Sequence, residues 1–260
     1  LTSWNVMFDI NLQPSERLVP MIGVLYPTPT PAPLPTAENL AVAVIPEGGY
    51  EVKLNWGETG KKLVAAGGIE MEKFSENYTD SNYEDELEFL TGTKEGGIRI
   101  DAKNAYFWVN TLWALGLTQK SEVLDKGVMG TEYRKDLGNF SSTAGWTLGA
   151  RDAVKLYSSA KIIDLDENEE KRVAEIAGNI YRPFCGNSAA FPDCNHGMAI
   201  LGLVELMVDQ RFSDEEIYRA SLAFNAYWFP QTYVDLAYYF QTRENTGWDR
   251  VDAKRVLGAE

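Results

Sequence analysis

Apolar residues recur every three or four positions along the second half of the chain, and this spacing predicts a succession of amphipathic helices. One segment, NHGMAILGLVELMVDQ at 195–210, is apolar on nearly every side and is therefore expected at the centre of the fold. The connections are short, so successive helices are expected to pack antiparallel. The predicted helical segments are 166–184, 195–210, 213–229, 231–243 and 248–258. We predict a mainly α fold, an antiparallel helical bundle or helical array, with a C-terminal helical core at 160–260.

The first half of the chain shows three further helical patterns, at 57–68, 81–92 and 101–117. The last of these is expected to begin at an Asp101 cap and to bury one face. Its predicted buried stripe consists of Tyr106, Val109, Trp113 and Leu117. The stretch 127–149 is rich in Gly, Ser and Thr and lacks sustained periodicity, so it is predicted to be a long surface loop.

The N-terminal region differs from the rest of the chain in its proline content. In YPTPTPAPLPT at 26–36, alternating prolines fix φ and remove amide donors, which favours polyproline II. We therefore predict two regions, an extended arm at 1–45 and a helical domain at 46–260. The arm is a candidate for binding a protein partner or for self-assembly. Apolar residues alternate on both sides of a turn at Glu47–Gly49, which predicts one small β-hairpin within 40–56.

The charge of the chain narrows its expected partners. Its 38 acidic and 24 basic residues leave a formal net charge of −14, which repels phosphate backbones and anionic headgroups. Nucleic acid and acidic lipid are therefore not expected as partners. No apolar run reaches the roughly 18 residues that a membrane-spanning helix needs. The sequence opens at Leu1 rather than Met, so we expect membrane attachment only through an N-terminal anchor that is lost or not recorded in this sequence.

Both cysteines and the only histidine lie in one segment, CGNSAAFPDCNHGM at 185–198. Asp193, Cys194 or Asn195 can supply the N-cap of the apolar helix that follows, so Cys194 is expected within one residue of a helix N-terminus. The positive end of the helix dipole stabilises an anion at that place. A lowered pKa is therefore predicted for the Cys194 thiol.

As metal ligands, Cys185, Cys194, His196 and Met198 offer two thiolates, an imidazole and a thioether. This soft set matches Cu(I) first and Zn(II) less well, so the candidate cofactor is a soft metal ion, copper before zinc. The spacing C-x8-C-x-H is neither that of a zinc finger nor that of haem attachment. Met198 is the weakest candidate, because a methionine that opens an apolar helix usually belongs to the core.

Two other interpretations of the cysteine pair stay open. Cys185 and Cys194 are nine positions apart and can form a structural disulfide, which the chain-entropy model values at about 2.7 kcal/mol for a loop near ten residues. Alternatively, Cys194 is a candidate nucleophile beside His196, and thiol–disulfide exchange is the most natural chemistry for it.

Glu205 is a second candidate for catalysis. It interrupts the apolar run MAILGLVELMV, and a carboxylate inside an apolar helix needs either a partner or a raised pKa. A salt bridge to an arginine such as Arg182 or Arg219 is the expected solution.

Three stretches carry a family resemblance: NIYRPFCGNSAAFPDCNHGMAILGLVELM at 179–207, FNAYWFPQTYVDLAYYF at 224–240 and GNFSSTAGWTLG at 138–149. Together they resemble an uncharacterised family of predicted exported or lipid-anchored bacterial proteins from environmental genomes, over about 45–258. The hallmark of that family reads R-P-C-C-x-N and then F-P-D-C-N-H-G-M-A. The resemblance implies export and marks the cysteine segment as a family feature. Phe184 stands where the family has a second adjacent cysteine, which would weaken a site built on three thiols.

These observations lead to three hypotheses of function. The first is an extracytoplasmic helical protein, periplasmic, secreted or on the cell surface, whose Cys/His/Met segment binds a soft metal or carries out thiol redox chemistry. The second is a non-enzymatic binding or assembly protein with a Cys185–Cys194 disulfide. The third, a helical hydrolase acting on glycans, follows from the acidic charge and the many aromatic residues, without naming a carboxylate pair. A single histidine and the lack of common catalytic motifs point away from most enzyme classes.

Overall fold

A computed structural model describes residues 35–78 and 83–258 of the chain. Within these residues lie fourteen α-helices and two short strands, β1 at Tyr50–Val52 and β2 at Ile98–Ile100, which confirms the mainly α prediction. The helices are α1 Ala37–Val44, α2 Thr59–Ala65, α3 Met71–Ser75, α4 Glu84–Thr91, α5 Ala105–Thr118, α6 Glu122–Lys126, α7 Val128–Thr131, α8 Ser141–Ala144, α9 Ala153–Leu156, α10 Glu167–Gly178, α11 Asn195–Asp209, α12 Asp214–Trp228, α13 Pro230–Arg243 and α14 Ala253–Leu257.

Several helices begin where the sequence supplies a capping side chain. Ser213 and Glu216 form the predicted capping box of α12, in which each side chain accepts from the other residue's backbone N–H. Asp166 and Glu169 form the same motif at α10. Pro230 opens α13, where its missing N–H removes no intrahelical hydrogen bond. These local interactions explain why the C-terminal helices lie close to their predicted positions.

The centre of the fold is the antiparallel pair formed by α5 and α11. Every residue from Phe107 to Thr118 on α5 is buried, as is every residue from Gly197 to Val208 on α11. The two backbones touch through Gly116 and Gly202, because a Cβ on Gly116 would lie only 2.1 Å from the Met198 carbonyl oxygen. In the described part of the chain, no helix is both long enough and apolar enough to cross a bilayer.

The predicted stripe on α5 is wrong in two details. Tyr106 is 55 % exposed, and burial extends around the whole helix rather than along one face. Asn104, not Asp101, is the N-cap residue; the Asp101 carboxylate instead accepts from the N–H groups of Lys103 and Asn104 in the preceding turn. A helix enclosed by neighbours on all sides no longer needs an amphipathic face.

The small sheet is real, but it is not the predicted local hairpin. Strands β1 and β2 pair antiparallel, with Tyr50 opposite Ile100 and Val52 opposite Ile98. The predicted turn is present, since Gly49 has φ of 79° and its N–H donates to the Pro46 carbonyl at 2.9 Å. The residues before that turn form α1 instead of a strand, so β1 takes its partner from 46 or more residues further along the chain.

Helix α1 lies inside the range that was predicted as an extended arm. The Thr36 hydroxyl caps it by accepting from the Asn39 N–H at 3.2 Å, and Leu40 and Val44, one turn apart, are buried. Residues 37–44 are therefore helical and belong to the compact unit that begins at Pro35. Residues 1–34 of the predicted arm, with most of its proline-rich stretch, lie outside the described residues.

The predicted surface loop at 127–149 contains packed helical turns. Helices α7 and α8 and a 3₁₀ turn at Leu137–Asn139 lie within it, and Met129 is fully buried. Two tryptophans fasten the segment: Trp146 donates to the Gly68 carbonyl at 2.9 Å, and Trp113 on α5 donates to the Ser142 carbonyl at 2.7 Å. Long-range contacts of this kind leave no periodic signal in the sequence.

Candidate thiol site

Cys194 lies at the N-terminus of the central helix, as predicted. It is the N-cap residue of α11, and its Sγ accepts from the Gly197 N–H at 3.5 Å. The role usually belongs to Ser, Thr, Asp or Asn, whose oxygen is a stronger acceptor than sulfur. The central helix therefore begins at a thiol.

The loop before α11 carries Cys185 back to Cys194. Tyr181 and Ser188 form an isolated β-bridge, and the turn between them closes through the Gly186 N–H, which donates to the Arg182 carbonyl at 2.9 Å. Gly186 has φ of 66°, a conformation that glycine adopts without strain. The two Sγ atoms lie 3.6 Å apart. Both cysteines are free thiols in this structure, so the disulfide of the alternative hypothesis is not formed here.

A buried arginine organises the segment between the cysteines. The Arg182 side chain is fully buried and pairs with the Asp193 carboxylate. It also donates to the carbonyls of Ser188 and Phe191. Asn187 donates to the second Asp193 oxygen at 2.8 Å. These contacts fix both ends of the loop relative to the start of α11, because a buried charge must be paired and hydrogen-bonded.

Asp193 completes a group of three potential ligand atoms. One oxygen of Asp193 and the Sγ atoms of Cys185 and Cys194 all lie within 4.8 Å of one another, and all three residues are partly exposed. Sequence reasoning had considered Asp193 only as a helix cap. Its position in FPDC, next to a cysteine and eleven positions after Arg182 in an otherwise uncharged segment, was the signal that could have identified it.

The structure places His196 and Met198 apart from this group. The His196 ring packs against the rings of Trp228 and Phe229, with centroid distances of 5.5 and 4.5 Å, and it is not a member of the three-ligand group. Burial, assisted by the nearby Arg182 charge, lowers the pKa of His196 to about 4, so the imidazole is neutral at pH 7. The Met198 side chain is fully buried in the hydrophobic core.

The predicted lowering of the Cys194 pKa is wrong. Burial disfavours the thiolate and raises the pKa of the Cys194 thiol. The Arg182 charge and the Gly197 N–H act in the opposite direction, but their effect is smaller. Cys194 therefore lies at the helix terminus as predicted, but burial raises its pKa by more than the helix terminus lowers it.

The predicted salt bridge of Glu205 is also wrong. Arg182 pairs with Asp193, and Arg219 donates to the Val251 carbonyl at 2.9 Å. Glu205 is fully buried, and neither of its oxygens has a hydrogen-bond partner in the described part of the chain. Burial raises the pKa of this carboxyl well above its usual value, because it disfavours the ionised form.

Phe184 is the position at which the chain departs from the family hallmark. Its side chain is 89 % exposed.

Comparisons with protein-family models, with curated proteins and with solved structures found no match to this chain. The resemblance to a family of exported proteins therefore stays a prediction.

Proposed function

We propose that this protein binds a soft metal ion outside the cytoplasm, through the thiolates of Cys185 and Cys194. The observation that carries the proposal is the group of three ligand atoms, two sulfurs and one Asp193 oxygen, within 4.8 Å of one another. Thiolates prefer soft ions, Cu(I) and Zn(II) among them.

The spacing of the sulfurs supports a shared ion. Two sulfurs bound at about 2.3 Å to one ion with tetrahedral geometry lie about 3.8 Å apart, and the observed separation is 3.6 Å. Copper(I) bound by the two thiolates alone prefers a near-linear S–Cu–S arrangement, so the sulfurs would have to move apart, while Asp193 would stay paired with Arg182 and Asn187. Zinc would recruit Asp193 as a third ligand, since a carboxylate oxygen keeps lone pairs beyond those that accept hydrogen bonds.

Binding would also offset the raised pKa of Cys194. A metal ion replaces the proton on each thiol, so burial that disfavours a free thiolate is compatible with a metal-bound one. The same burial makes Cys194 a poor nucleophile at pH 7, because only the thiolate attacks.

Reversible formation of a disulfide is the second candidate, and the same sulfur separation favours it. The two sulfurs would have to approach by about 1.5 Å to bond. In exchange with a partner disulfide, one cysteine would form a mixed disulfide and the other would displace the partner, which leaves with two thiols. The products are then one Cys185–Cys194 bond and one reduced partner.

Metal analysis combined with thiol counting tests the proposal. Untagged protein, purified without oxygen and loaded with Cu(I) or Zn(II), is expected to retain one ion per chain after desalting. Cys185→Ser and Cys194→Ser should each lose it. A protein that carries two titratable thiols and retains neither metal would contradict the proposal. If the thiols react only after the protein is reduced, the result would support the Cys185–Cys194 disulfide instead of metal binding.

A further inference from the structure

A cavity that shares no lining residue with the thiol site lies where α6 and α10 begin. The cavity there has a volume of about 610 Å³. Five carboxylates and three lysines contribute to its walls: Glu122, Asp125, Asp166, Glu167 and Glu170, with Lys120, Lys126 and Lys161. The balance of charge in the cavity is therefore negative.

Two buried side chains beneath this cavity have unpaired oxygens. Ser121 lines the cavity with only 1 % of its surface exposed, and its hydroxyl has no hydrogen-bond partner among the described residues. The Glu205 carboxyl on α11 faces this hydroxyl and is fully buried, with both oxygens unpaired. The Ser121 hydroxyl lies close enough to lower the pKa of Glu205, but the two groups do not meet ordinary hydrogen-bond geometry. The Ser121 hydroxyl and both Glu205 oxygens are thus buried without a hydrogen-bond partner among the described residues, which is costly in a dry interior.

Glu170 supplies a carboxylate at the same place. One of its oxygens accepts from the Glu122 N–H at 2.9 Å and so caps α6 from the neighbouring helix. The negative charge of Glu170 also raises the pKa of Glu205. Two carboxylates held near each other without a cation between them repel, which disfavours ionisation of both.

The lysines of the cavity form their salt bridges with other carboxylates, although the Lys126 charge lowers the pKa of Glu170. Lys120 pairs with Asp125 at 2.6 Å, Lys126 pairs with Glu122, and Lys161 pairs with Asp164. Within the described residues, no salt bridge reaches Glu170 or Glu205. The Ser121 hydroxyl and both Glu205 oxygens have no hydrogen-bond partner there either.

We propose that this cavity binds a divalent cation of the oxygen-preferring type, such as Ca²⁺, Mg²⁺ or Mn²⁺, with Glu205, Glu170 and the Ser121 hydroxyl as its ligands. Two carboxylates and a hydroxyl form a hard donor set, and solvent in the open cavity can complete the coordination. The ion supplies the positive charge that the buried carboxylate lacks. The site shares no residue with the thiol site, and its ligands select against soft ions.

Calorimetric titration of the full chain, freed of metal with EDTA, tests this site. Titration with Ca²⁺, Mg²⁺ and Mn²⁺ is expected to show one ion per chain for at least one of them, with a matching rise in Tm. Glu205→Gln and Glu170→Gln should each weaken binding by at least about tenfold. Glu167→Gln is the control: Glu167 lines the same cavity, but it is exposed and paired with Lys171, so its loss should leave the affinity nearly unchanged.

Two results would overturn the proposal. One is the absence of both heat and a Tm shift up to roughly 10 mM of every ion, beyond the range of weak Ca²⁺ sites. The other is unchanged affinity in Glu205→Gln and Glu170→Gln, which would place the ion on the exposed carboxylates. If circular dichroism shows that Glu205→Gln does not fold, Glu170→Gln and Ser121→Ala, which alter the edge of the core, decide between the outcomes.

Discussion

The Arg182 guanidinium occupies the space that a side chain at position 197 would need. A Cβ built on Gly197 would lie 2.6 Å from the Arg182 Cζ and 2.8 Å from its Nε. Glycine in the first turn of α11 therefore lets a buried charge cross the helix N-terminus beside Cys194. This single contact connects the start of the central helix, the Arg182–Asp193 pair and the thiol site.

Gly197→Ala is expected to lower the free energy of unfolding by about 1 to 3 kcal/mol, the usual cost of overpacking. The guanidinium cannot move aside freely, because Asp193 and two carbonyls hold it. Urea unfolding at pH 7 measures the effect. Gly178→Ala at the end of α10 is the matched control, since its added Cβ would meet nothing within 4 Å. Equal stability of the two variants would show that Arg182 does not depend on the glycine.

Gly116→Ala is expected to be more damaging than Gly197→Ala, by about 3 kcal/mol or more in total. Its Cβ would meet the backbone carbonyl of Met198 rather than a side chain, so α5 and α11 would have to separate. Thermal and urea unfolding, monitored by circular dichroism, measure the loss. A wild-type melting temperature would mean that the two helices do not pack through this glycine.

His196→Gln and Met198→Leu are expected to leave soft-metal binding intact, whereas Cys185→Ser and Cys194→Ser abolish it. His196 lies against Trp228 and Phe229, and Met198 lies in the core. Leu replaces Met with little change in volume, so Met198→Leu should still fold. A competition titration of Cu(I) or Zn(II) against a chelator measures each affinity. A large loss of affinity in His196→Gln would restore the imidazole as a ligand.

The metal-free protein should lose stability as the pH falls below about 6.5, with His196 as one cause. The pKa of His196 is about 4 in the folded protein, against about 6.5 in an unfolded chain. Between these values the unfolded chain binds a proton that the folded protein does not, so acid favours unfolding. The expected contribution between pH 7 and pH 5 is at most about 2 kcal/mol.

Urea unfolding of the wild type and of His196→Gln at both pH values isolates this effect, because the titration of all other groups cancels in the comparison. The difference between the pH 7 and pH 5 stabilities should be smaller in the variant. An identical difference in both proteins would mean that His196 titrates normally in the folded state.

Local signals in the sequence were sufficient for the positions of the C-terminal helices and for one element of the site. Ser213 and Glu216 are three positions apart, and Cys194 directly precedes an apolar helical pattern, so short-range geometry places both. The pairing of the two strands could not be predicted from such local signals. A three-residue strand such as Tyr50–Val52 carries too little sequence pattern to specify its partner. Its pairing with Ile98–Ile100 depends on the packing of the folded chain.

The sequence by itself determined that the protein is mainly helical, that an apolar helix follows Cys194 directly, and that both thiols lie in one segment. Tertiary structure decided which groups surround them. In the folded chain Arg182 pairs with Asp193 rather than with Glu205. The Glu205 carboxyl has no hydrogen-bond partner among the described residues, and burial raises the pKa of Cys194. The physical reason is that caps and periodicity depend on neighbours within one or two turns. Desolvation and the pairing of buried charges depend on residues that meet only when the chain is folded.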